Sequence, residues 1–203
     1  MENKVKIAVL VSGGGTNLQA LIDAQKKGVI KNGEIKVVIS NNSDAYALER
    51  AKNNRIDTEV VLKKCCTNQL DFEQKIKDVL KEKEIDLIVL AGFMAILSES
   101  FTKDFDRRII NVHPSLIPSF CGKGFYGLKV HEEALKKGVK VTGATVHFVN
   151  EIPDGGEIIM QKPVMVKEND TPEILQKRVM EQAEWKILPK SVEKICKKII
   201  RNK

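Results

Sequence analysis

The 203 residues carry 42% hydrophobic and 30% charged side chains, a balance that excludes a disordered chain, and the length suits one domain of somewhat large size or at most two small ones. No apolar run approaches the roughly 20 residues that cross a bilayer, and the apolar stretch at residues 5–12 is too short and too early for a secretory signal, so a cytoplasmic protein is expected. The net charge of +7 raises the question of nucleic acid, but the lysines are scattered among acids, only the tail "KICKKIIRNK" is one-sidedly basic, and at 5% aromatic content no stacking cluster sits among them; an anionic small substrate fits this charge equally well.

Residues 5–12 read as a strand and 17–28 as a helix, with Leu18, Leu21 and Ile22 at helical spacing and Gly28 as its stop. A strand at 34–40, a helix at 43–54 capped by Ser43 or Asp44, a strand at 58–62, a helix at 71–84 and a buried strand at 86–92 follow. Strands alternating with helices imply βαβ units and a parallel sheet, with right-handed crossovers and a ligand crevice at the C-terminal ends of the strands. After residue 107 come a strand at 108–113, a helix at 127–138, and strands at 139–150 and 156–166 joined by "EIPDGG", a link short enough to favour an antiparallel pair. A last helical stretch runs from Pro172 to about Ile200, where Pro189 is predicted to kink or split it. The four cysteines form no C-x-x-C pair, so reduced thiols are expected rather than a zinc site or a disulfide framework.

Three stretches carry chemistry. "VSGGGTNLQA" sets three glycines between a strand and a helix, either as a tight turn needing positive φ or as a phosphate cradle to which Thr16 and Asn17 add donors. It is not a Walker loop, and with its third glycine missing it is a poor dinucleotide fingerprint. In "RIINVHP", Asn111 and His113 share one face of a strand that Pro114 ends. An amide that donates to a developing oxyanion beside an imidazole that passes protons suits acyl or formyl transfer, against the plain alternative of a satisfied histidine at a strand end. Asp154 in "EIPDGG" either orients that imidazole or makes an Asx turn. His131 is expected on a helix surface, and His147 either lines the site or lies in the core.

Together with "SN" followed by "ALERA", "LAGFMAILS", "GATVHFV" and "EWKILP", these stretches make the chain resemble the folate-dependent phosphoribosylglycinamide formyltransferases of purine synthesis along nearly its whole length. The resemblance implies an α/β, three-layer Rossmann-like formyltransferase fold, with a mostly parallel central sheet and antiparallel strands in the C-terminal half. It implies a single domain over 1–203, with a phosphate-binding half (1–100) and a folate-binding and catalytic half (101–203). It further implies 10-formyltetrahydrofolate as co-substrate, glycinamide ribonucleotide as acceptor and no metal. Gly15, Thr16 and Asn17 would hold the ribonucleotide phosphate. Met94, Ala95, Ile96 and Leu97 would meet the folate through backbone groups, and Asn150, Glu151, Ile152, Pro153 and Asp154 would wrap the pterin. Asn111 would hold the formyl oxygen, His113 would act as general acid, Asp154 would support its charge, and Glu184 would bind the substrate amine.

Three positions depart from the family pattern. Ala95 and Gln69 stand where arginines that reach the folate are common, and Trp185 stands where histidine is common. The segment "FCGKGFYGLKVH" reads as part of a lid over the phosphate. A methionyl-tRNA formyltransferase would be expected to carry a further C-terminal RNA-binding domain and a formyltetrahydrofolate hydrolase a further N-terminal one, and the chain length argues against both. The partners expected are the two small molecules, with no nucleic acid or membrane, in a monomer or homodimer.

Overall fold

A computed structural model describes residues 4–202. Strand β1 (Val5–Val11) is buried at every position but Lys6, as expected of a central parallel strand covered on both faces. Its side chains alternate between two apolar layers. Val5, Ile7, Val9 and Val11 face one, and Ala8 and Leu10 face the other. The first layer is completed by helices α1 (Thr16–Lys26), α2 (Tyr46–Asn53), α6 (Pro172–Val179) and α7 (Trp185–Arg201), and the second by α3 (Gln69–Glu82) and α4 (Glu99–Asp104). Helix α5 (Leu128–Lys137) packs on α6.

The remaining strands are β2 (Gly33–Ser40), β3 (Asp57–Val60), β4 (Leu87–Leu90), β5 (Ile109–His113), β6 (Val141–Phe148) and β7 (Ile158–Met165). They form one seven-stranded sheet in the order β3-β2-β1-β4-β5-β6-β7. Pairing is parallel from β3 to β5 and antiparallel where β6 meets β5 and β7, so the expected mixed sheet is found. The chain leaves β1 toward one edge and returns at β4 to build the other. The switch point lies between β1 and β4, and in open α/β sheets a ligand crevice forms at the C-terminal ends of the strands there.

Three expectations need correction. The long C-terminal helix is not broken at Pro189, which lies within α7. The irregularity sits upstream, in a π turn at Met180–Glu184. The carbonyl that Pro189 leaves without its usual donor belongs to Trp185, the residue directly after that wide turn. Helix α4 has no counterpart in the sequence reading because its six residues are too few to show a period. His131 is not on the surface but fully buried on the inner side of α5, and neither ring nitrogen has a hydrogen-bond partner. No helix among the described residues is long and apolar enough to cross a membrane.

Candidate active site

The turn after β1 is strained where it must be. Gly15 has φ +70, and a Cβ there would lie 2.6 Å from the Ala47 Cβ, so two elements meet too closely for any side chain. Gly15 caps α1 without a side-chain bond, and no acidic residue sits in the first helical turn, which leaves the end of the dipole open to an anion. Thr16 and Asn17 follow on the helix, but their side chains turn elsewhere. Asn17 Nδ2 donates to Glu184 Oε2 at 2.7 Å, and Thr16 Oγ1 lies 3.7 Å from the Met180 sulfur. The turn is thereby tied to the π segment of the second half of the chain. Glu184 is almost fully buried with Asn17 as its hydrogen-bond donor, and burial pushes its carboxyl up to about 7 against that one bond. The Oδ1 of Asn17 and the indole Nε1 of Trp185 are left without partners.

At the end of β5 the period of two does what the sequence reading expects, placing Asn111 and His113 on one face. Parallel pairing with β4 opens that end into the crevice, and antiparallel pairing with β6 sets His147 opposite Asn111. The His147 Nδ1 lies 2.7 Å from the Phe148 carbonyl, an acceptor only, so this nitrogen carries a hydrogen. In the neutral ring Nε2 then accepts from Asn111 Nδ2 at 3.2 Å. One amide hydrogen of Asn111 is engaged in this way, and the other remains free for a ligand oxygen.

His113 is held from two sides. Nε2 donates to the Phe120 carbonyl at 2.8 Å, and Nδ1 stands 3.5 Å from Asp154 Oδ2. The other Asp154 oxygen lies 3.5 Å from His147 Nε2, and Oδ2 also accepts from Gly122 N–H at 2.8 Å. Burial holds the His113 ring below the usual histidine value, while the Asp154 carboxylate and the Phe120 carbonyl pull it back up. Burial opposes the charge on Asp154 too, yet the His147 ring, His113 and the Gly122 N–H together keep its carboxyl below the ordinary range. Both groups that flank His113 sit in left-handed backbone, Phe120 at φ 50 and Asp154 at φ 57. Non-glycine residues reach that region at a cost, and such strain gathers where a site is over-determined by its surroundings. Gly156 lets the Asp154 loop approach β6, since a Cβ there would lie 1.8 Å from the Phe148 carbonyl oxygen.

Two cavities meet at this constellation. One of about 140 Å³ has an apolar floor of Leu90, Phe93, Leu97 and Val149 and is rimmed by Asn150–Asp154. The other, about 600 Å³, runs between residues 92–96 and the loop 122–127, which shares it with Asn111, His113 and Asp154. Asn111 and Asp154 line both. Ala95, Ile96 and Leu97, expected from the resemblance to meet the folate, line the smaller cavity. Met94 and Ile96 are exposed at the mouth. Gln69 lies just behind them, but both hydrogens of its amide nitrogen are engaged, by Glu73 Oε1 at 2.6 Å and the Ile96 carbonyl at 3.1 Å. Among the described residues no group of three or more His, Cys, Asp or Glu could hold a metal ion.

Several residues of this site carry no motif. Phe120 and Gly122 act through backbone groups, which sequence types do not announce. Ser12 anchors the backbone of Met94 at 2.8 Å across the switch point. Glu73 did leave a signal, as a carboxylate at helical spacing within the stripe of Phe72, Ile76 and Leu80.

The formyl transferase family model matches residues 5–192. The phosphoribosylglycinamide formyltransferase of Haemophilus influenzae is 46% identical over 184 residues, covering 91% of this chain and 84% of that protein. The human trifunctional purine biosynthetic protein adenosine-3 is 43% identical over 195 residues, 96% of this chain but only 19% of the human protein, so the chain spans about a fifth of that relative's length. Among solved structures, glycinamide ribonucleotide transformylase 1 from Symbiobacterium toebii superposes with a TM-score of 0.90 at 38% identity, over 97% of this chain and 90% of that one.

Proposed function

The chain belongs to the formyl transferase family, and from that premise we propose that it moves the formyl group of 10-formyltetrahydrofolate to the amine of N1-(5-phosphoribosyl)glycinamide, a step of de novo purine synthesis. The observation that carries the proposal is the group of Asn111, His113, His147 and Asp154 at the junction of two cavities. The small cavity, with its apolar floor, suits a flat heterocycle. The glycine turn at the N-terminus of α1 suits the phosphate through Gly15, Thr16 and Asn17 backbone groups. Glu184, tied to that turn, holds the substrate amine.

The chemistry follows from the residues. The amine adds to the formyl carbon, and the carbonyl electrons move to oxygen. The free N–H of Asn111 meets that oxygen as it becomes negative. Negative charge beside a buried imidazole raises its affinity for a proton, so the His113–Asp154 pair takes the surplus proton of the attacking nitrogen. The same pair returns it to the folate nitrogen as the bond from that nitrogen to the formyl carbon breaks, and the proton count closes. Gln69 lends its amide to the protein rather than to the folate tail. On this reading the partners are two small molecules, and the protein works in the cytoplasm as a monomer or homodimer.

Release of tetrahydrofolate, followed by absorbance with and without glycinamide ribonucleotide, is the direct test. Release that requires the ribonucleotide supports transfer. Release without it points to hydrolysis.

A further inference from the structure

Residues 91–98 connect β4 to α4 and form the wall between the two cavities, with Phe93, Ala95 and Ile96 lining both. Residues 92–97 of this strap lack any backbone–backbone hydrogen bond among the described residues. A segment without a ladder or a helix holds its shape only through other anchors. Three side chains supply them. Ser12 holds Met94 at one end. Gln69 holds the Ile96 carbonyl in the middle. Glu73 takes the far end twice, accepting the Ser98 N–H at 2.6 Å and the Ser98 hydroxyl at 2.5 Å.

Glu73 is 1% exposed and lies on the buried face of α3. A carboxylate there is costly unless its lone pairs are filled, and Ser98 together with Gln69 fills them. None of these donors belongs to the apolar stripe that the helix packs. Ser98 also caps α4, accepting from the Phe101 N–H. One buried carboxylate thus joins α3, the strap and α4.

We propose that Glu73, acting through Ser98 and Gln69, is a positioning residue for folate binding: it fixes the backbone of residues 96–98 and with it the wall between the two cavities. The proposal rests on the reading of these cavities as the folate site. It separates the two substrates, because Glu73 touches no residue of the glycine turn or of the Glu184 contact.

The test compares wild type with Glu73→Gln, which keeps size and removes the carboxylate, and with Gln69→Leu, whose half-buried position is safe for folding. The KM for 10-formyltetrahydrofolate should rise about tenfold in Glu73→Gln, the factor that 1.4 kcal/mol represents, and in the same direction in Gln69→Leu. The kcat and the KM for the ribonucleotide should stay within about a factor of two. Glu73→Asp, which keeps the charge, should recover part of the loss. Calorimetric titration with tetrahydrofolate reads the same weakening without turnover. An unchanged folate KM with only a lower thermal midpoint would make Glu73 a local structural residue and overturn the proposal, as would equal losses for both substrates. A wild type that binds tetrahydrofolate but transfers nothing would sink the functional reading and leave the titration to decide this one. A wild type that binds no folate would overturn both.

Discussion

Glu184→Gln should make the protein more stable and less active, with a gain that grows with pH. The Glu184 carboxyl rises from 4.5 to about 7 because it is buried with a single hydrogen bond to offset the cost. At 1.36 kcal/mol per pH unit the difference corresponds to about 3 kcal/mol. Its sign follows from linkage. Below pH 4.5 both the folded and the unfolded chain hold the proton, and the group contributes nothing. Between 4.5 and about 7 the unfolded chain releases its proton while the folded chain keeps it, so stability falls as pH rises. Above that range the folded chain carries a buried carboxylate and the whole penalty. Glutamine keeps an oxygen for Asn17 and has no proton to lose. Urea unfolding of both proteins between pH 5 and pH 8 should therefore show the variant's advantage growing by about 2–3 kcal/mol. The KM for the ribonucleotide should rise in the same variant. A stability difference that does not change with pH, or that shrinks as pH rises, would refute the assignment of a buried, poorly compensated carboxyl.

On the proposed mechanism Asn111→Ala removes the oxyanion donor, and kcat should fall by roughly 10²–10³, about 3–4 kcal/mol, in steady-state assays; a variant within a factor of two of wild type would remove Asn111 from that role. Asp154→Asn keeps a residue that tolerates φ 57 and still accepts from Gly122, so the fold should hold while kcat drops at least about a hundredfold for want of the proton relay. His131, fully buried, titrates near 4 because burial and then the His113 charge oppose its protonation. As pH falls below 6.5 the unfolded chain gains a proton that the folded chain refuses, so about 3 kcal/mol of stability should be lost by pH 4. His131→Phe should remove most of that loss in acid unfolding curves.

The parallel half of the fold was legible because strands covered on both faces read as unbroken apolar runs, and the helices between them show a clear period. The shared face of Asn111 and His113 was legible because a period of two leaves no freedom in how they are placed, and a proline follows the strand. What escaped was set by tertiary contacts. His131 looked like a surface residue among "KVHEEAL", yet it turns to the inner side with Val130 and Ala134. Pro189 looked like a break, but the helix runs through it, and the irregularity lies upstream in the π turn that carries Glu184. Gln69 stands where an arginine is common, and nothing in the sequence tells that its donors meet Glu73 and Ile96.

The formyl carbon of 10-formyltetrahydrofolate is labelled with ¹³C, and its fate is followed by NMR with the ribonucleotide present and absent. The label should pass to the amide of the ribonucleotide product only when both substrates are present, and slow sharply in Asn111→Ala. Label appearing as free formate at the same rate without the ribonucleotide would contradict transfer and assign the site to hydrolysis.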